Sequence, residues 1–166
     1  MKIPSVLFLL GGFTASAAVI EKRTQSPFHL YAYGTGNAFV GNDVPAGSNV
    51  NSNITFVPTP SSEWLITPTS NITLTNTTSP ALFINPSATS LTNVGFSGCG
   101  PANGTTKGFV AFGNWAMWRD LGTQKLSSSF YATPVSEGVW QLMWNAQEID
   151  DGKSVSVAVR KVAPSS

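Results

Sequence analysis

Seven carboxylates follow residue 23, and enzymes that hydrolyse polysaccharides use two such groups as acid and base. They are Asp43, Glu63, Asp120, Glu137, Glu148, Asp150 and Asp151. Most of them fall where turns are expected. Charged side chains are common at the solvent-exposed ends of hairpins, so these positions do not require a catalytic role. A glycosidase that uses two of Asp120, Glu137 and Glu148 is the hypothesis that the sequence supports least. Residues 148–151 could collect a weak calcium ion, but they lack the spacing of a dedicated calcium loop.

The chain has one histidine, His29, and one cysteine, Cys99, which restricts nucleophilic and metal chemistry. A catalytic thiol needs a base beside it, and His29 belongs to a different segment. A metal site usually needs more than one such ligand. We therefore expect a surface or interfacial histidine that is bonded to a neighbour. For Cys99 we expect a partly buried structural thiol, with an intermolecular disulfide as the alternative. No catalytic residue, metal site or cofactor is predicted.

The aromatic residues offer binding chemistry. They include Trp64, Trp115, Trp118, Trp140 and Trp144, with Tyr31, Tyr33 and Tyr131. Core filling is their default role, because tryptophan buries a large area. Trp115 and Trp118 are three residues apart, so on one strand they point to opposite faces, and one should face outward or into a cleft. Exposed rings beside polar groups can stack on sugars, and Trp118 and Tyr131, expected near strand ends, are the candidate carbohydrate-binding residues.

Paired strands are predicted between residues 108 and 162. Residues 153–162 alternate valine with small or polar residues, which is the pattern of a half-buried strand. Residues 138–145 place two tryptophans and a leucine on one face and further apolar residues on the other, so this strand should be covered on both sides. The Asp-Gly pair that ends at Gly152 predicts a tight hairpin between these two runs, with a positive φ at the glycine.

The earlier part of the chain reads as shorter strands. Residues 27–33 alternate, with His29 on the more polar side. Residues 45–106 are rich in Ser, Thr, Asn, Pro and Gly, yet they keep strand-like islands between turn residues. The islands are 54–57, 63–67, 72–74, 82–84 and 94–96, and 38–40 adds another. The sequence therefore predicts one all-β domain over residues 24–166, an antiparallel β-sandwich or jelly-roll of about eight to ten short strands.

The first 23 residues predict export. Residues 1–18 have the basic start, apolar run and small-residue cleavage site of a secretory signal peptide. Residues 19–23 end in Lys22 and Arg23, a dibasic pair typical of processing-protease sites. We expect a short pro-segment and a mature chain that begins near Thr24, with Ala18 or Val19 as the alternative start. The predicted location is extracellular or in the cell wall.

The charge balance bears on the partners. Residues 1–23 hold three of the nine basic and one of the eight acidic residues, so the rest has six against seven and a formal net charge of −1. Without a basic excess, neither nucleic acid nor an anionic membrane surface is an expected partner. No later apolar run reaches the roughly 20 residues that a membrane-spanning helix needs. A monomer is expected.

Four sequons predict a glycoprotein. The acceptor sites are Asn53, Asn71, Asn76 and Asn103, all in the low-charge half of the chain. A single sequon would be weak support for glycosylation, but four sequons that follow a predicted signal peptide are stronger support. Attached sugars would keep a nearly uncharged surface soluble. Asn71 and Asn76 are close in sequence, so occupation of one could exclude the other.

Motifs near both ends of the chain resemble a group of small secreted proteins of filamentous fungi. Residues 28–34 read Phe-His-Leu-Tyr-Ala-Tyr-Gly, residues 130–134 Phe-Tyr-Ala-Thr-Pro, and residues 138–145 Gly-Val-Trp-Gln-Leu-Met-Trp-Asn; Met117-Trp118 and Ala163-Pro164 also match. The middle of the chain is not covered, and the motifs are structural rather than catalytic. Such proteins carry a Gly-rich insertion at the position after residue 34, and this chain lacks it. A function that depends on this insertion is therefore not expected here.

The resemblance implies no active site, because its motifs define none. Most similar proteins are uncharacterised, and some are described as cell-wall glycoproteins or as elicitors of plant defence. The leading hypothesis is a non-enzymatic, secreted or cell-wall-associated fungal glycoprotein that a host plant perceives as an elicitor or effector. The alternative is a carbohydrate-binding module with an exposed aromatic face. The expected partner is a cell-wall polysaccharide or a surface protein of the host.

Overall fold

The computed structural model describes residues 26–34, 38–39, 41–42, 52–68, 80–97 and 102–164. Within these ranges the regular structure is all β, without a helix. The strands, in chain order, are β1 (Tyr31–Tyr33), β2 (Ala38–Phe39), β3 (Gly41–Asn42), β4 (Ser52–Pro58), β5 (Trp64–Pro68), β6 (Ala81–Phe83), β7 (Thr92–Asn93), β8 (Gly95–Ser97), β9 (Phe109–Phe112), β10 (Trp115–Arg119), β11 (Leu126–Ser127), β12 (Phe130–Ser136), β13 (Val139–Trp144), β14 (Val155–Ser156) and β15 (Ala158–Arg160).

These strands form three antiparallel sheets. Sheet I has the order β11-β10-β15-β1-β2, with β9 paired to β10; sheet II is β14-β12-β13-β7; and sheet III is β3-β4-β5-β6-β8. The predicted all-β, antiparallel class is confirmed, and the arrangement is consistent with a β-sandwich. The described residues form fifteen strands rather than about eight to ten. One reason is that a single alternating run of residues can form two short strands, as residues 153–162 do in β14 and β15.

All three sheets contribute to one hydrophobic core. Sheet I supplies Val159, sheet II supplies Phe130 and Trp144, and sheet III supplies Phe56 and Trp64, all almost completely buried. Edge-to-face rings fill the space, for example Phe130 against Trp144 with centroids 5.0 Å apart. Since sheets bury only one face each, this shared core fixes which face of each sheet remains available to a ligand.

The closing run of valines behaves partly as predicted. Val157 and Val159 are buried and Val155 packs against the core, which confirms the period of two. The run is nevertheless two strands in different sheets, because β14 pairs with β12 whereas β15 pairs with β1 and β10. At the crossing point Val157 donates its backbone N–H to the carbonyl of Phe130 over 3.0 Å.

The predicted hairpin between β13 and this closing run is wrong. Gly152 does have a positive φ of 72°, as the Asp-Gly pair indicated. However, β12 lies between β13 and β14 in sheet II, so the two runs are not partners. The local turn signal was correct, but β12 forms its own hairpin with β13 and leaves only its far edge for β14. Turn chemistry alone cannot identify a strand's partner.

The remaining predicted strands have mixed outcomes. The islands at 54–57, 63–67, 82–84 and 94–96 are confirmed by strands. The island at 38–40 is confirmed for residues 38–39, and residue 40 and the island at 72–74 lie outside the described residues. The first predicted strand is shorter, since β1 begins at Tyr31 and Phe28 forms an isolated bridge with Phe56. In β13, Trp144 is buried but Trp140 is 47% exposed, so coverage on both sides does not extend along the whole strand.

Candidate functional site

The one histidine of the chain makes a structural contact. His29 places its Nδ1 2.8 Å from the carbonyl oxygen of Ile54, which is the structural role predicted for it. Among the residues that the structure describes, no group of three His, Cys, Asp or Glu side chains could hold a metal ion. Cys99 lies outside these residues.

Of the three carboxylates considered for hydrolysis, two lie beyond opposite ends of the same strand. Glu137 precedes β13 and Glu148 follows it, and a six-residue strand separates its ends by about 20 Å. Glycosidase carboxylates lie within about 10 Å of each other. Asp120 accepts hydrogen bonds at Oδ1 from the backbone N–H groups of Thr123 and Gly122, each 2.8 Å long. These bonds stabilise the charged form and lower the pKa of Asp120, whereas a general acid needs a raised pKa.

Trp118 faces inward. Its ring packs against the core and meets Trp144 edge-to-face, with centroids 6.2 Å apart. Its Nε1 donates to the carbonyl oxygen of Lys107 over 2.9 Å. It also forms one wall of an open cleft, so this predicted binding residue is accessible from one side only.

Tyr131 belongs to a different surface. In β12, Phe130 and Ala132 are buried, so Tyr131 points to the outer side of sheet II, where Met143 and Ser156 are its cross-strand partners. Trp118 lies on the inner side of sheet I. The structure therefore does not bring the two predicted binding residues together.

The outward-facing tryptophan of β10 is Trp115, and it belongs to a row of large side chains. Cross-strand pairing aligns Tyr31 with Arg160, Arg160 with Trp115, and Trp115 with Phe112. Directly opposed residues lie on the same face, so these four side chains cross β1, β15, β10 and β9 on the outer face of sheet I. Tyr33 is two residues from Tyr31 and shares that face. We call these five residues the aromatic row.

Arg160 is held between two rings of the aromatic row. Its Cζ lies 4.2 Å from the ring centroid of Trp115 and 4.8 Å from that of Tyr33. The hydroxyl of Tyr33 donates to the carbonyl oxygen of Val162 over 2.6 Å, which fixes that ring. Cation–π stacking of this kind orders both the guanidinium and the rings before any ligand arrives.

Much of the aromatic row remains in contact with solvent. Phe112 is 65% and Trp115 is 41% exposed. Large exposed apolar groups that are grouped on one face commonly mark an interaction site. The sequence indicated that one of Trp115 and Trp118 faces outward, but the choice of Trp118 as the binding residue missed the row. Arg160 could not be found without the pairing of β15 with β10.

Of the predicted modification sites, Asn103 is the one whose side chain the structure describes. It is exposed in a turn, which is compatible with glycosylation. Asn53 lies in β4, while Asn71 and Asn76 are outside the described residues, as are Lys22 and Arg23. The described part of the chain contains no helix with the length and apolar character to cross a membrane.

Comparisons with protein-family models, with curated proteins and with solved structures find no match for this chain. The resemblance to small secreted fungal proteins therefore stays a prediction from its motifs.

Proposed function

We propose that this chain is a non-enzymatic, extracellular carbohydrate-binding protein and that the aromatic row holds the polysaccharide. The proposal depends chiefly on one observation, the alignment of Tyr31, Arg160, Trp115 and Phe112 across four strands of sheet I. The predicted signal peptide and the sequons support the extracellular part of the proposal.

The chemistry of the row matches that of a sugar polymer. A pyranose ring has an apolar face, which stacks on an aromatic ring, and hydroxyl groups, which accept hydrogen bonds from a guanidinium. Phe112 and Trp115 supply the rings, and Arg160 supplies donors from a position that the rings already fix. Rings aligned on one face of a sheet suit an extended or insoluble chain, because successive sugars can stack along the row. The near-neutral charge of the chain favours an uncharged polymer.

Binding is favoured over hydrolysis because the aromatic row contains no carboxylate. Glu137 and Glu148 lie beyond opposite ends of β13, a six-residue strand that is about 20 Å long, and Asp120 has a lowered pKa. Retaining and inverting glycosidases need a close pair in which one group keeps its proton near neutral pH.

Co-sedimentation of the mature protein with insoluble chitin, β-glucan and cellulose tests the proposal. We expect retention on at least one polymer, release by the soluble oligosaccharide, and loss of retention in Trp115→Ala and Phe112→Ala. Trp140→Ala is the matched control, because Trp140 is as exposed as Trp115 but belongs to sheet II. It should be retained like the wild type.

Two results would contradict the proposal. Absence of retention on every polymer would leave the row without a carbohydrate partner, and a protein surface would then be the better candidate. Equal losses in Trp115→Ala and Trp140→Ala would indicate general adhesion of exposed rings rather than a site.

A role in recognition by a host plant is a second proposal, and it depends on the sequence resemblance alone. In it, the cell-wall glycoprotein is perceived as an elicitor. Infiltration of leaves with purified mature protein would produce a defence response in a susceptible host, and the lack of a response across several hosts would refute it.

A further inference from the structure

The outer face of sheet I carries two arginines. Arg160 belongs to the aromatic row, where its Cζ lies 4.2 Å from the ring centroid of Trp115 and 4.8 Å from that of Tyr33. Arg119 is four residues beyond Trp115 in β10, so the period of two places it on the same face. Both side chains are half-buried. This face therefore holds two positive charges, and the rings fix the position of one of them.

Neither guanidinium has an acidic partner among the residues that the structure describes. Arg119 and Arg160 form no salt bridge there, and the Nε of each has no hydrogen-bond acceptor. Partial burial of a charge without a partner costs free energy, because the group gives up part of its hydration. An anion that binds beside either arginine would recover part of this cost.

The carboxylates of the chain are used elsewhere. Six of the seven that follow residue 23 lie in described residues. Four of these six accept hydrogen bonds from loop residues, and they are Glu63, Asp120, Asp150 and Asp151. The other two, Glu137 and Glu148, lie beyond the ends of β13 in sheet II. Asp43 is outside the described residues. The described carboxylates thus leave the charge of the aromatic row uncompensated.

We infer that the polysaccharide held by the aromatic row carries uronic acid residues, and that a carboxylate of the polymer pairs with Arg160. The inference rests on the proposed function and names the substrate class of the same site. Hydrogen bonds between a guanidinium and a carboxylate are charge-assisted, and they are about twice as strong as those to a sugar hydroxyl. The rings on both sides of Arg160 hold the guanidinium in place before the polymer binds, which lowers the entropy cost of binding.

The charge of the whole chain limits how acidic the polymer is. The formal net charge of −1 after residue 23 gives no long-range attraction to a densely charged polymer. The local charge of the aromatic row, in contrast, favours a carboxylate at the point of contact. A mostly neutral polymer with isolated uronic acids satisfies both conditions.

Two matched pairs of soluble polymers provide the test. The first pair is glucuronoxylan and the same polymer after chemical reduction of its carboxyl groups to alcohols. The second pair is partly esterified pectin and its fully methyl-esterified form. Titration calorimetry of the mature protein should show at least about tenfold tighter binding to the acidic member of one pair, the difference that one hydrogen bond to a charged group makes. Added salt should reduce this preference.

Substitutions on the outer face assign the preference to one residue. Arg160→Gln removes the charge and should bring the two affinities of a pair to within about twofold of each other. Arg160→Lys keeps the charge without the planar fork and should keep part of the preference. Arg119→Gln is the matched control, because Arg119 shares the face but lies about 13 Å from Trp115 along β10. It should keep the preference of the wild type.

Equal affinities for both members of each pair would overturn the inference. The proposed function would still stand in that case if Trp115→Ala weakened these affinities. Binding to none of the four polymers would also overturn the inference, and retention on insoluble chitin, β-glucan or cellulose would then decide whether the proposed function survives. An unchanged preference in folded Arg160→Gln, or an equal loss in Arg119→Gln, would attribute the preference to general charge attraction and would refute the role of Arg160.

Discussion

Gly108 determines where Trp118 can lie, and its replacement by alanine should displace that ring. Gly108 has a φ of +96°, which residues with a side chain rarely adopt. A Cβ added there would lie 2.5 Å from the carbonyl oxygen of Arg119 and 2.7 Å from Nε1 of Trp118. The first of these is a backbone atom, so a rotamer change cannot relieve the contact.

The expected loss of stability combines two costs. Backbone strain at a positive φ costs about 1–3 kcal/mol, and forcing an atom into a filled space costs about another 1–3 kcal/mol. We expect Gly108→Ala to lower the free energy of unfolding by about 3 kcal/mol or more. Gly113→Ala is the control for φ alone, because Gly113 has a φ of +59° and nothing within 4 Å of an added Cβ. That variant should lose about 1–2 kcal/mol.

Urea unfolding of both variants, with near-UV circular dichroism of the folded proteins, tests this reasoning. The larger loss in Gly108→Ala should come with a changed tryptophan spectrum, because Trp118 must leave the carbonyl of Lys107 that it bonds. Losses within about 0.5 kcal/mol of each other would refute the steric part of the argument. An unchanged spectrum in a strongly destabilised Gly108→Ala would refute the displacement of Trp118.

Two further predictions concern polar groups that hold loops. The pKa of Glu63 is lowered by hydrogen bonds from Thr106 and Ser61, so its stabilisation is present above the unfolded pKa and is lost as pH falls through the folded pKa. Urea unfolding across acidic pH should show a shallower loss in Glu63→Gln than in wild type, and the same pH dependence in both proteins would contradict this. Asn145 is fully buried and bonds both backbone groups of Ile149, so Asn145→Ala should lose about 2 kcal/mol in the same assay. A loss below about 0.5 kcal/mol would contradict this role.

The fold class followed from local patterns because burial in a sheet has a period of two. Alternation identified the buried side of residues 153–162, and turn residues separated the islands of the low-charge region. The alternating pattern does not identify the strand with which each strand pairs. The wrong hairpin after β13 and the unexpected crossing between β14 and β15 are both errors of pairing, which long-range contacts decide.

The candidate sites depend on pairing even more than the fold does. Sequence spacing separated Trp115 from Trp118 by face, because that distinction is local. It did not show which tryptophan had a cationic neighbour, since Arg160 reaches Trp115 only through the register of β15 with β10. The contact between Trp118 and Trp144 was equally hidden, because the two indoles come from different sheets.

The crossing at Val157 links the core to the aromatic row. Val157 is fixed by its bond to Phe130 in sheet II, and the next residues must enter sheet I with Ala158 opposite Tyr33. A shift of one residue would turn Val159 outward and Arg160 into the core, where its charge would be unpaired. Burial of Val159 therefore forces Arg160 onto the outer face, between Tyr33 and Trp115. The packing that stabilises the closing strand thus also sets the position of the guanidinium on the proposed binding surface.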